Sequence, residues 1–135
     1  MRVNTLRGAL QAPWIGQAMG SMQRYLATTP DSGWLWGTNW FGRTTILLSY
    51  WRSAADVQRF ASDADAPHLQ PWRRFVREVG DSRHIGVWHE LFTVRADDYE
   101  SVYVNMPLFG VAGAGQHLPI SPGLRTSRQR MLANG

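Results

Sequence analysis

The chain has no cysteine, and that single absence excludes disulfides, thiolate catalysis and cysteine-ligated metals. Lysine is absent too, so all 14 basic side chains are arginine, a usage compatible with a GC-rich genome and with planar, bidentate pairing. No run reaches the roughly 18 apolar residues that a bilayer-spanning helix needs. Met1–Gly20 lacks the continuous apolar centre of a signal peptide, so the expected location is the cytoplasm and no membrane partner is expected. No basic block alternates with aromatics and no recognition motif occurs, which argues against nucleic acid as a partner. A phosphate-cradling glycine loop, a serine nucleophile elbow and a zinc-type ligand cluster are missing as well. Gly110, Gly113 and Gly115 stand close together but outside any strand-to-helix frame.

What is present is aromatic. Seven Trp, five Phe and four Tyr among 135 residues give ample core for one domain of this length. Tryptophan brings a large rigid surface and one N–H that wants a partner, so a surplus suits a core bordering a cavity or an interface. The net charge is +4. Arg125, Arg128 and Arg130 follow the last acidic residue, Glu100. We expect a single domain over residues 1–120 and a basic, flexible tail over 121–135.

Apolar spacing from Pro13-Trp14 through Leu26 predicts a first helix opened by the proline. Trp34–Phe41 reads as a strand with Trp34, Trp36 and Trp40 on one face, and Gly37 marks either a bulge or a close approach by another group. Thr44–Trp51 is the clearest strand. Ser53, with Asp56 three residues on, predicts the N-terminus of a helix over Ala54–Ala61. A second helix carries His68, Trp72, Phe75, Val76 and Val79 as a stripe. Ile85–Arg95 and Tyr99–Met106, joined by a turn at Ala96-Asp97-Asp98, read as an antiparallel hairpin. Phe109, Val111, Leu118 and Ile120 belong to a loop or arm. With one more strand in front, the order becomes the strand-helix-strand-strand-helix-strand unit of the ferredoxin-like class. Only Arg2-Val3-Asn4 is available for it, so the first strand reads as truncated.

Four histidines and a few charged groups could carry chemistry. His68 opens a helix on its apolar side, where it is either a hydrogen-bonded core residue or an axial ligand to a flat cofactor. His89 is a candidate base, although its neighbour Glu90 points to the opposite face of a strand. His84 and His117 fall in turns or loops. Arg52 either orients an anionic group or pairs with an acid at the sheet edge.

The segments Trp40-Phe41-Gly42-Arg43-Thr44-Thr45, Tyr50-Trp51-Arg52-Ser53, Asp65-Ala66-Pro67-His68-Leu69, Trp72-Arg73-Arg74-Phe75, Val79-Gly80-Asp81, Gly86-Val87-Trp88-His89-Glu90 and Tyr99 through Pro107 resemble a bacterial family of uncharacterised, monooxygenase-like proteins. That family is placed in the dimeric α/β-barrel superfamily. The resemblance implies an α+β fold: a ferredoxin-like antiparallel sheet with helices on one face, whose helix-free side meets that of a second copy in a homodimer. It also implies a cavity between sheet and helices. Ala66-Pro67-His68-Leu69 is further similar to the haem-binding segment of haem-dependent aldoxime dehydratases. On that likeness His68 would be the ligand to haem iron, with Trp36, Trp51, Trp72, Phe75 and Trp88 lining the cofactor pocket. Three functions follow as expectations. The first is a haem-dependent or monooxygenase-like oxidoreductase for a small hydrophobic molecule, with His68, His89, Glu90 and Arg52 as catalytic candidates. The second is a cofactor-free monooxygenase in which His68 or His89 is the base. The third is a non-enzymatic module that binds a small ligand or a partner.

Overall fold

The structure, a computed structural model, describes residues 1–95, 98–117 and 119–134, so the expected turn at Ala96-Asp97 and the expected arm residue Leu118 lie outside it. The chain forms two compact units, Met1–Glu90 and Leu91–Gly135. The fold is α+β, with five α-helices and two small antiparallel sheets among the described residues.

The first unit begins with β1 (Arg2–Val3) and the 23-residue helix α1 (Leu6–Thr28). Thr5 caps α1, its hydroxyl accepting the Gly8 N–H at 3.2 Å. Pro13 therefore does not open the helix; it stands inside it. The stretch Leu6–Ala12 is rich in Leu and Ala, which carry the helix back past a proline that cannot donate to the Ala9 carbonyl. A 3-10 turn at Pro30–Ser32 and left-handed Gly33 lead into β2 (Trp34–Trp40) and β3 (Ile46–Trp51). Helices α2 (Ala54–Ser62) and α3 (Leu69–Glu78) follow, and then β4 (Ile85–Gly86). Ser53 caps α2 as its sequence predicts, accepting the Asp56 N–H at 3.1 Å.

β2 and β3 pair from Trp40↔Ile46 to Trp34↔Trp51, with an irregularity between Trp34 and Trp36. The register sets Trp34 opposite Trp51 and Trp36 opposite Tyr50, so Leu35 is the extra residue of a bulge. The three β2 tryptophans consequently do not share a face. Trp34 turns with Trp51 toward the helices, while Trp36 meets Tyr50 on the other side at 6.0 Å between ring centroids.

β1 pairs with β4 as Arg2↔Gly86 and Val3↔Ile85, and it also bridges Thr44 just ahead of β3. The Val3 N–H donates to Arg43 O at 3.0 Å and the Thr45 N–H to Met1 O at 2.8 Å. Across the unit the strands thus run β2, β3, β1, β4. The leading strand is only two residues long, yet it stands between β3 and β4 and ties the two ladders together. The expected hairpin does not form among the described residues: only Ile85–Gly86 is strand, and Tyr99–Met106 contains none.

Helices cover one face. Ile15 of α1, Phe75 and Val79 from the end of α3, and Ile85 of β4 make one buried cluster. Leu26, Phe60 and Ala66 make the second, with Met22, Tyr25, Trp34 and Trp51 packed on it. Gly8 lets α1 lie against the chain entering β4, because a Cβ there would stand 2.2 Å from the His84 carbonyl oxygen.

The second unit is held by polar contacts among its own residues. The Tyr103 hydroxyl donates to Phe109 O at 2.6 Å and accepts the Ala112 N–H at 3.1 Å, fixing the entry to α4 (Val111–Ala114). α5 (Ser127–Asn134) forms behind a reciprocal cap of Thr126 and Gln129. Arg130 bonds Glu100 at 2.6 Å and the carbonyls of Leu124 and Arg125. No helix among the described residues is long and apolar enough to cross a membrane.

Candidate functional site

Side-chain alternation along the strands divides the candidate residues between two faces. On the helix-covered face, Phe60 sits at the centre of an aromatic group, 5.5 Å from Trp51, 5.6 Å from His68 and 6.1 Å from Tyr25 between ring centroids. His68 is half-buried at the N-terminus of α3, its Nδ1 lying 3.2 Å from the Ala61 carbonyl oxygen. A carbonyl only accepts, so this bond requires the proton on Nδ1 and leaves the Nε2 lone pair of the neutral ring uncommitted. Phe75 stacks on Trp72 at 5.6 Å and is buried with Ile15, Val79 and Ile85.

Arg52 is engaged structurally. Its Nε and Nη2 donate to Asp56 at 3.3 Å each, Ser53 Oγ donates at 2.7 Å, and Arg59 also donates to the same carboxylate. These donors, Arg52 first and Ser53 next, hold the buried Asp56 carboxyl well below the ordinary carboxylate range. Gly33 makes the arrangement possible: its φ is +81°, and a Cβ there would lie 2.3 Å from Asp56 Cγ. Of the two roles open to Arg52, ion pairing with an acid beside the sheet is the one the geometry realises.

His89 and Glu90 are exposed in a stretch without regular structure, and no hydrogen bond or ion pair among the described residues engages either. Trp36 and Trp88 belong to the face opposite the helices. The seven aromatic and histidine candidates therefore do not converge. A haem bound by His68 would need an open slot reaching Trp51, Trp72, Phe75, Trp36 and Trp88 together, and the sheet stands between the first group and the last two. Phe60 already lies against the His68 ring. The residues present do not fit haem. Nor do three His, Asp or Glu side chains among the described residues come together to hold a metal ion.

The helix-free face does carry a cavity of about 300 Å³, half open to solvent, lined by Met1, Arg2, Asn4, Thr44, Gly86, Val87 and Trp88. Arg2, Thr44 and Gly86 are cross-strand neighbours in one row, so they point the same way. Asn4 and Trp88 each follow a member of that row by two residues. The cavity is thus a product of the junction at β1: Arg2, Thr44 and Gly86 place it on the side away from the helices, while Met1 also packs on the helix-side cluster of Ile15, Phe75, Val79 and Ile85. Of its lining, only Trp88 stands out in the sequence. Arg2, Asn4, Thr44 and Gly86 come from three separated segments with no spacing signal, and the one hint was the short Arg2-Val3-Asn4 strand candidate.

The cavity-bearing unit lies within a family signature. The monooxygenase af470-like family model matches residues 1–111. The chain belongs to that family. The match covers the whole first unit, β1 and the cavity lining included, and bears out the monooxygenase-like resemblance; it does not extend to the aldoxime dehydratases. No curated protein and no solved structure matches the chain.

A second polar feature of this monooxygenase-like chain also escapes sequence reading. Between α1 and β2, Asn39 Nδ2 donates to Gln23 Oε1 at 2.7 Å. Gln23 Nε2 and Asn39 Oδ1 are shielded from solvent without a protein partner. Such amides accommodate a bridging water.

Proposed function

We propose that the chain is a monooxygenase for a small, mainly apolar molecule, bound in the cavity on the helix-free face and working as one half of a dimeric α/β barrel. The family match over residues 1–111 carries the oxygenase reading. The strand order β2-β3-β1-β4, with helices on one side, supports a ferredoxin-like half-barrel. The opposite face supports the dimer. An antiparallel sheet facing water ordinarily alternates apolar inside with polar outside, yet here Ile46 is 41% and Leu48 38% exposed.

The residues around the cavity bind and orient. Met1, Val87 and Trp88 offer apolar wall, while Arg2, Asn4 and Thr44 supply polar groups that fix the substrate's direction. Oxygen uptake by the purified protein, measured with compounds first shown to bind the cavity, tests the reaction. Bound compounds that never support uptake overturn it. Light scattering should give twice the chain mass of 15.3 kDa, and Leu48→Arg should halve it while leaving the helical circular dichroism intact. A wild-type monomer rejects the barrel.

One observation favours a second reading. Among the described residues no histidine or carboxylate lines the cavity, so no side-chain base is built into its wall. A protein that only binds the small molecule would fit this wall, and the same uptake assay separates the two.

A further inference from the structure

From the cavity lining we infer that the molecule bound there is a small monocarboxylate with a flat apolar body, its carboxylate taken by Arg2 and its body laid on Trp88. The inference rests on the reading that this cavity is the substrate site, and it names the substrate class.

Charge and shape both point this way. Of the seven lining residues none is acidic, and Arg2 takes part in no ion pair among the described residues. A guanidinium is always charged and presents a planar fork that matches the two oxygens of a carboxylate. The other polar groups add donors: the exposed Thr44 hydroxyl stands across from Arg2, and the Asn4 amide spends one N–H on Arg83 O at 3.2 Å. Arg43 stands outside the lining, its Nε donating to Val3 O at 3.4 Å. The Met1 ammonium donates to Thr45 O at 2.9 Å, and the side chains of Met1, Val87 and Trp88 are apolar.

Gly86 completes the shape. It is the cross-strand partner of Arg2, and because it has no side chain the space beside the guanidinium stays open; a Cβ would stand 3.5 Å from Asn4 Nδ2. The volume of about 300 Å³ admits one or two fused rings, and ligand cavities of roughly 300–1,000 Å³ are the ordinary range. Trp88 offers an indole face to such a ring.

The test uses 2-naphthoate and its neutral isostere 2-naphthamide, titrated into the full-length protein. Indole N–H resonances are followed by NMR, with Trp88 assigned through Trp88→Phe. The expected result is a shift centred on Trp88 and a preference for the carboxylate of about tenfold, weakening as salt is raised. Arg2→Gln should bring the preference below about twofold, and Arg2→Lys should restore part of it. Trp88→Ala should weaken both ligands together and keep their ratio, which serves if Arg2→Gln fails to fold. Equal affinity for the two ligands in the wild type, or a carboxylate preference untouched by Arg2→Gln, overturns the inference. Oxygen uptake is read separately. Carboxylate binding without uptake refutes the oxygenase and leaves the anion site standing; uptake with neutral compounds and no carboxylate preference does the reverse.

Discussion

Two stretches of this chain are rich in β-forming residues on either side of a turn, and only one forms a ladder. Trp34–Trp51 makes a hairpin paired from Trp40↔Ile46 to Trp34↔Trp51. Ile85–Met106 is also rich in β-forming residues, yet among the described residues pairing stops at Gly86, with Phe92 75% and Val104 65% exposed. The difference lies behind the strands. The first hairpin rests on Phe60, Leu26, Tyr25 and Met22 from two helices, so one face of each strand is buried. A two-stranded ribbon without such backing is marginal in water, whatever its alternation. β-forming residues make a strand possible, and a covering layer makes it one.

The comparison can be broken at its backing. Phe60→Ala should have the largest effect, about 3–5 kcal/mol of stability lost in urea titration followed by fluorescence. All seven tryptophans lie in Met1–Glu90, so indole emission reports that unit alone. A loss under about 1 kcal/mol would mean that the helices do not hold the hairpin. Gly33→Ala comes next. It forces a side chain into left-handed backbone and into the place of the Asp56 carboxylate, for about 2–3 kcal/mol.

A smaller effect follows pH. Asp56 is held below its ordinary value in the folded chain, so its contribution to stability is full above the unfolded value and is lost as pH falls. Stability should therefore drop as pH goes from about 5 toward 2, through the ordinary carboxylate range. Asp56→Asn should flatten that part of the curve; an unchanged acid limb would show that other carboxylates control it. The least effect is expected from Glu100→Gln. It removes the bond to Arg130 in the second unit and should expose α5 to proteolysis, with the indole-reported midpoint held. A shift of that midpoint would couple the two regions energetically.

Much of the first unit was legible. The strand at Thr44–Trp51, the Ser53 cap with Asp56, and the helix opening at His68 each depend on signals a few residues long, and the structure reproduces them. The site was not. Trp34, Trp36 and Trp40 look like one face until the bulge at Leu35 turns Trp34 to the helices and leaves Trp36 on the other side. His68 and Trp88 look like one pocket until the sheet is seen to run between them.

Sequence alone determined the composition-level facts: an aromatic α+β chain without cysteine or lysine, with the words of a monooxygenase-like family. It also determined the local elements, because caps, turns and short-period apolar patterns act over neighbouring residues. Tertiary structure decided the rest. Arg2–Val3 is too short to show any period, and it is a strand only because Arg43–Thr45 on one side and His84–Gly86 on the other supply its hydrogen bonds. The same distant pairing sets Arg2, Thr44 and Gly86 in one row and opens the cavity beside Trp88. Contacts between residues so far apart in the chain leave no periodic trace in the sequence, and only the folded sheet brings them together.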